Sequence, residues 1–129
     1  MMKLTTAGES HGKALVAILE GLPAHLKLDV EKIQAELALR QSGFGRGGRQ
    51  KIEKDQVEIL TGVRNGETLG SPLTLCIYNK DFANWERCMS DGACDEAAMQ
   101  AKRLTKVRPG HADLTGMQKF AQTDARNIL

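Results

Sequence analysis

The chain has 129 residues, 41% of them hydrophobic and 26% charged, and a formal net charge of +2. That is enough apolar material for one core of ordinary domain size, and the near balance of charge excludes the strong basic field of a dedicated nucleic-acid binder, so any basic function must be local. The longest apolar run, Ala14 to Leu19, predicts neither a membrane span nor a signal peptide, and three cysteines, Cys76, Cys88 and Cys94, with no C-x-x-C pair, argue against a disulfide framework or zinc ribbon and suit a reducing cytoplasm.

In chain order, Lys3 to Ala7 and Ala14 to Glu20 predict two short strands around an exposed loop, Glu9-Ser10-His11-Gly12, and Gly21-Leu22-Pro23 ends the second. Asp29 reads as an N-cap, and Val30, Ile33 and Leu37 recur at i, i+3 and i+7, predicting an amphipathic helix to about Arg40. Gln41 to Gln50 holds four glycines with Arg46 and Arg49, and reads as a basic loop. Gln56 to Val63 alternates like a strand, and Asn65-Gly66 favours a type I′ turn into a second strand, Leu73 to Tyr78. A helix is expected over Glu96 to Lys102, then a loop with Arg108-Pro109-Gly110-His111, then a helix from Asp113. Asp124 reads as the N-cap of a last helix that stops after barely one turn, at Leu129, with no C-cap signal. The expectation is a segment of a longer protein, cut at a helix start near 124–129, whose last turn frays or packs against a second copy of the chain.

Two stretches gather positive charge without compensating acids: Arg40, Arg46, Arg49 and Lys51 between Glu36 and Glu53, and Lys102, Arg103, Lys106 and Arg108 between Glu96 and Asp113. Arginine's planar fork matches carboxylates and phosphates, and glycines let backbone amides approach the same anion, so a small polyanion is the natural ligand. Gly43-Phe44-Gly45-Arg46-Gly47-Gly48 formally matches G-x-G-x-x-G, but a helix precedes it and a strand follows, the reverse of a dinucleotide fingerprint. An RGG-type nucleic-acid module and a non-catalytic structural fragment remain as alternatives; the tract occurs once, with Phe44 its sole stacking residue. His11 and His111 sit in loops and are candidate general acids, whereas His25 has no such claim. Metal binding through His11, His111, Glu9 and Asp113 lacks any H-x-x-x-H or H-E-x-x-H spacing, and no metal is expected.

Together these pieces resemble chorismate synthase over nearly the whole chain. The resemblance rests on Gly8-Glu9-Ser10-His11-Gly12 with Val16 to Pro23, on Arg40 to Arg49, and on Glu53 to Val63. It continues through Gly70-Ser71-Pro72, Asn79-Lys80-Asp81, Trp85 and Arg108-Pro109-Gly110-His111-Ala112-Asp113. Leu39 departs from it, standing where many relatives carry a second arginine. The resemblance implies an α+β fold, part of a layered sheet–helix–sheet sandwich in a single large domain that usually assembles as a homotetramer. It implies a trans-1,4 elimination of phosphate from 5-enolpyruvylshikimate 3-phosphate to give chorismate, with reduced FMN required. It casts His11 as proton donor to the departing phosphate and His111 as proton donor to the reduced flavin. Arg40, Arg46 and Arg49 become anion contacts to substrate, or to NADPH in members that reduce their own flavin. The main FMN residues and a catalytic aspartate are implied to lie beyond Leu129, so the chain alone is expected to be inactive. Neither nucleic acid nor a membrane is an expected partner.

Overall fold

The computed structural model describes residues 1–41 and 55–128. The chain divides into two compact units, one formed by Met1–Gly8 with Ala14–Lys80 and the other by Glu9–Lys13 with Asp81–Leu129.

The first unit is mainly β. Strands β1 (Lys3–Gly8), β2 (Ala14–Glu20), β4 (Val57–Thr61) and β7 (Leu73–Tyr78) form an antiparallel sheet in the order β1-β2-β7-β4. Its register explains why these segments pair. Leu4 lies opposite Leu19, which lies opposite Leu73, and Ala17 and Ile59 flank Leu75 from either side. Directly opposed residues share a face, so alternation along each strand collects one apolar surface. Leu73 and Cys76 are the most buried side chains of this sheet, each 3% exposed. The predicted strand pair at Lys3 and Ala14 is therefore present as β1 and β2.

The predicted hairpin differs in an informative way. Asn65 and Gly66 do adopt positive φ, 51° and 76°, as a type I′ turn requires. The turn, however, joins two short strands, β5 (Val63–Arg64) and β6 (Glu67–Leu69), which pair with each other and, through β6, with β3 (Ala24–Lys27) in a separate three-stranded sheet ordered β3-β6-β5. The long strands β4 and β7 still pair with each other, outside this inset, with a register shift between Ile59 and Thr61. At Gly62, φ is +85°, and a Cβ would lie 2.5 Å from the Pro72 carbonyl oxygen and 2.6 Å from Leu73 Cα, so the chain leaves one sheet for the other where only glycine fits. Strand β3 was not expected from the sequence: Ala24-His25-Leu26-Lys27 alternates, but over four exposed residues, too few to separate a strand from a loop. It is tied in by the buried Thr68, whose hydroxyl donates to the Pro23 carbonyl at 2.6 Å and accepts from the Leu26 amide at 3.0 Å.

Helix α1 (Val30–Gln41) begins as expected, with the Asp29 carboxylate accepting from the Lys32 amide at 2.9 Å. Its inward stripe is Ile33, Gln34 and Leu37, whereas Val30 is exposed. Gln34 rather than an apolar residue fastens the helix to the β4 end: its amide donates to the Asp55 carbonyl at 2.5 Å and its oxygen accepts from the Val57 amide at 3.1 Å. The side chain thus supplies to the strand what a neighbouring backbone would.

The second unit is helical apart from the Glu9–Lys13 loop. A 3-10 turn (Lys80–Asn84) leads into α2 (Glu86–Met89), α3 (Glu96–Ala101) and α4 (Asp113–Phe120). The Asp95 carboxylate caps α3 by accepting from the Ala98 amide at 3.1 Å, and α4 ends on Ala121 in a left-handed conformation, φ 52°. The expectation of a loose terminal α-helix is corrected. Ala125–Ile128 is a 3-10 turn with Ala125 fully buried, and Asp124 accepts from the Arg126 amide at 3.0 Å and the Leu104 amide at 3.2 Å. Gly116 of α4 sits so close to Ile128 that a Cβ there would collide with its side chain. These contacts hold the turn against its own unit.

Candidate functional site

Both histidine loops belong to the second unit, and each is built on its own anchor. In the His111 loop the anchor is Asp113, 2% exposed. Its carboxylate accepts from Arg108 Nε at 2.9 Å, Arg108 Nη2 at 2.8 Å and the Arg108 amide at 3.0 Å. This is a two-pronged pair strengthened by a backbone donor. The Arg108 guanidinium holds the Asp113 carboxyl well below the usual carboxylate range, against the opposing effect of burial, and Asp113 in turn raises Arg108. The basic stretch from Lys102 to Arg108 is therefore less free than its sequence implied, because Arg108 is committed to positioning its own loop. Pro109 and Gly110, the latter at φ +74°, turn the chain so that His111 faces solvent. The His111 amide donates to the Arg108 carbonyl at 3.3 Å, and His111 Nδ1 lies 3.1 Å from the Pro109 carbonyl. A carbonyl oxygen only accepts, so this contact favours the Nδ1–H tautomer and leaves Nε2 as the atom that exchanges a proton with whatever approaches.

The His11 loop is closed by the Gly12 amide donating to the Glu9 carbonyl at 3.1 Å. The sequence reading placed the loop in the open, yet Gly12 is buried and His11 half-buried. Ser10 Oγ lies 2.9 Å from His11 Nδ1, and the imidazole stands edge to face against Trp85, ring centroids 4.7 Å apart at 72°. Lys13 reaches Asp91 at 2.7 Å, and its ammonium holds the Asp91 carboxyl below the ordinary value.

Arg40 ends α1 in the first unit, 63% exposed along its side chain, with Nη1 3.9 Å from the Asp55 carboxylate. Arg46 and Arg49 lie outside the described residues. The structure thus brings the two histidines into one unit and leaves Arg40 in the other. Two features went unnoticed in the sequence. The Arg108–Asp113 pair had a signal, an arginine and an aspartate five residues apart across Pro-Gly, while the approach of Trp85 to His11 spans too much chain for any local pattern to show.

The chain is thus α+β, with both of its anchored histidine loops in one compact unit. Comparison with known proteins makes the assignment specific. The family model for chorismate synthase matches residues 2–128. The chain is 57% identical over 129 residues to the chorismate synthase of Alkaliphilus metalliredigens, covering 100% of this chain and 33% of that one. It is 56% identical over 128 residues to that of Lactococcus lactis subsp. cremoris, covering 99% and 33%. A crystal structure of chorismate synthase superposes with a TM-score of 0.61 at 42% identity, over 99% of this chain and 27% of the other. The chain belongs to the chorismate synthase family, and it spans about a third of the length of the curated relatives it matches.

Proposed function

We propose that this chain is the part of a chorismate synthase that carries two of its proton-transfer groups, His11 and His111, and that the whole protein eliminates phosphate from 5-enolpyruvylshikimate 3-phosphate to give chorismate. The observation that carries the reading is the His111 loop: within a chain of this family, a solvent-facing imidazole has its Nδ1 occupied by the Pro109 carbonyl and its backbone pinned through Arg108 to a buried carboxylate. In the imidazolium form, Nε2 thereby presents its proton from a fixed position, which is what general acid catalysis requires. His11 takes the second role, giving a proton to the phosphate as it departs. That oxygen gains negative charge as the C–O bond breaks, so a cationic donor favours the transition state over the ground state.

The fit to FMN is partial. His111 Nε2 suits an anionic ring nitrogen, and the remaining flavin contacts are assigned to no described residue. Reduced FMN, when bound, supplies the electron density for the cleavage; the chain's own residues hold and move protons. Arg40, Arg46 and Arg49 are proposed as contacts to the carboxylates and phosphate of the substrate, or to NADPH if the protein reduces its own flavin. Homotetrameric assembly and a cytoplasmic location belong to the same proposal; among the described residues no helix is long and apolar enough to cross a membrane.

The test is made in a full-length enzyme that contains this segment, under anaerobic conditions with chemically reduced FMN. His11→Ala and His111→Ala should each lower kcat by about 10²–10⁴-fold with KM little changed. Arg46→Ala should act mainly on KM. Near-normal turnover in both histidine variants would sink the proton-donor assignment.

A further inference from the structure

We infer that Trp85 is a positioning residue for His11; the inference rests on the proton-donor role proposed for that histidine. Ser10 Oγ meets the imidazole at one atom, Nδ1, at 2.9 Å, whereas a ring contact bears on the tilt of the whole plane. The His11 ring stands against Trp85 at a centroid distance of 4.7 Å and an interplanar angle of 72°, within the range in which edge-to-face pairs prefer a particular geometry.

Trp85 is itself held from several sides. Its Nε1 donates to Asp81 Oδ2 at 3.0 Å, and Asn84 Nδ2 donates to the other oxygen of the same carboxylate at 2.9 Å. Its carbonyl accepts from the Cys88 and Met89 amides, both at 2.9 Å, and from the buried Cys88 thiol at 3.3 Å. Its own amide donates to the Phe82 carbonyl at 2.8 Å. Lys102 completes the frame: its Nζ lies 4.2 Å from the indole centroid and donates to the Asn84 carbonyl. The indole is thus fixed by the 3-10 turn before it, by α2 after it and by the residue that ends α3. The His11 loop leans on this frame, and the Lys13–Asp91 pair ties the same loop to the chain just beyond α2. Asp81 and Lys102 act on His11 through the indole, since each is bonded to Trp85 or its turn.

A tilt of the imidazole would displace its proton-bearing nitrogen, and a displacement near 1 Å can cost about 10²-fold in rate. Trp85 therefore contributes to turnover without touching substrate.

The experiment has two arms. In the 129-residue chain, the His11 ring protons are assigned by NMR, and the ring current of the sole tryptophan should displace them from their free-peptide positions. The displacement should vanish in Trp85→Leu and survive, reduced, in Trp85→Phe. In a full-length enzyme containing the segment, Trp85→Leu should lower kcat by up to about 10²-fold with KM within about twofold, and Trp85→Phe should recover most of the loss. Undisplaced His11 signals in the parent chain would overturn the contact. Unchanged kcat in Trp85→Leu, or a loss confined to KM, would overturn the positioning role. A normal kcat in His11→Ala would instead remove the proton-donor reading and leave the NMR arm to decide the contact.

Discussion

Two arginine–aspartate pairs, each with a buried carboxylate, do different work although their chemistry is the same. Arg108 and Asp113 shape a loop that carries a candidate acid; Asp124 and Arg126 close the end of the second unit, the guanidinium side chain only 7% exposed and its Nη1 without a hydrogen-bond partner among the described residues. Asp124→Ala should cost about 3–5 kcal/mol, because it strands a buried cation, whereas Asp91→Ala, which breaks an exposed pair, should leave stability unchanged. Urea unfolding of the two variants checks the contrast. Burial works to raise the Asp124 carboxyl, but the bonds from Arg126 and the Leu104 amide outweigh it and hold it below the ordinary value, as Arg108 does for Asp113. Both groups bind fewer protons folded than unfolded at acid pH, so their stabilisation is complete above the unfolded aspartate value of about 3.9 and is lost as pH falls through the lower folded values. The urea midpoint should be flat from neutrality to about pH 5 and fall below about pH 4, and Asp124→Asn should make that fall shallower.

At the scale of elements, what was legible was local. Asp29 capping α1, the positive φ at Asn65 and Gly66, the apolar run of β2 and the alternation of β4 are each decided within a few residues, and the sequence showed them. Which strands the Asn65-Gly66 turn joins was not legible, since that depends on β3 being present to receive β6. The helical stripe was likewise shifted, because Gln34 gains two backbone partners that no hydropathy pattern records. The two turn glycines allow a test of this division. Gly62→Ala meets backbone on the facing strand and should destabilise by well over 1 kcal/mol, while Gly66→Ala, also at positive φ but with nothing within 4 Å of the added carbon, should cost only the strain of its conformation, about 1–2 kcal/mol. Thermal unfolding that ranked Gly66→Ala as the worse change would show that the crossing between the sheets is looser than its contacts indicate.

For the whole molecule, the motifs identified the family because they are contiguous in sequence, while the site did not assemble on paper because its parts are not. His11 meets Trp85 across more than seventy residues, and Arg40 stands in the other compact unit. The chain spans about a third of its curated relatives. Supplied alone with chemically reduced FMN and 5-enolpyruvylshikimate 3-phosphate under anaerobic conditions, it is expected to form no chorismate, because positioning worth about 7–11 kcal/mol in well-oriented reactions would be missing. Turnover comparable to a full-length enzyme would place the complete machinery within these residues. The order β1-β2-β7-β4 leaves β1 at a margin of its sheet, with all six residues from Lys3 to Gly8 exposed. One row of its backbone amides and carbonyls bonds to β2, and among the described residues no strand pairs with the opposite row, the kind of edge on which an extended peptide can align. For anyone preparing this chain by itself, that margin is a template for strand addition: solubility will be governed by how the first strand is shielded in the tube, through dilution, a fused partner or a lysine placed at its outer positions, more than by the charge of the remaining surface.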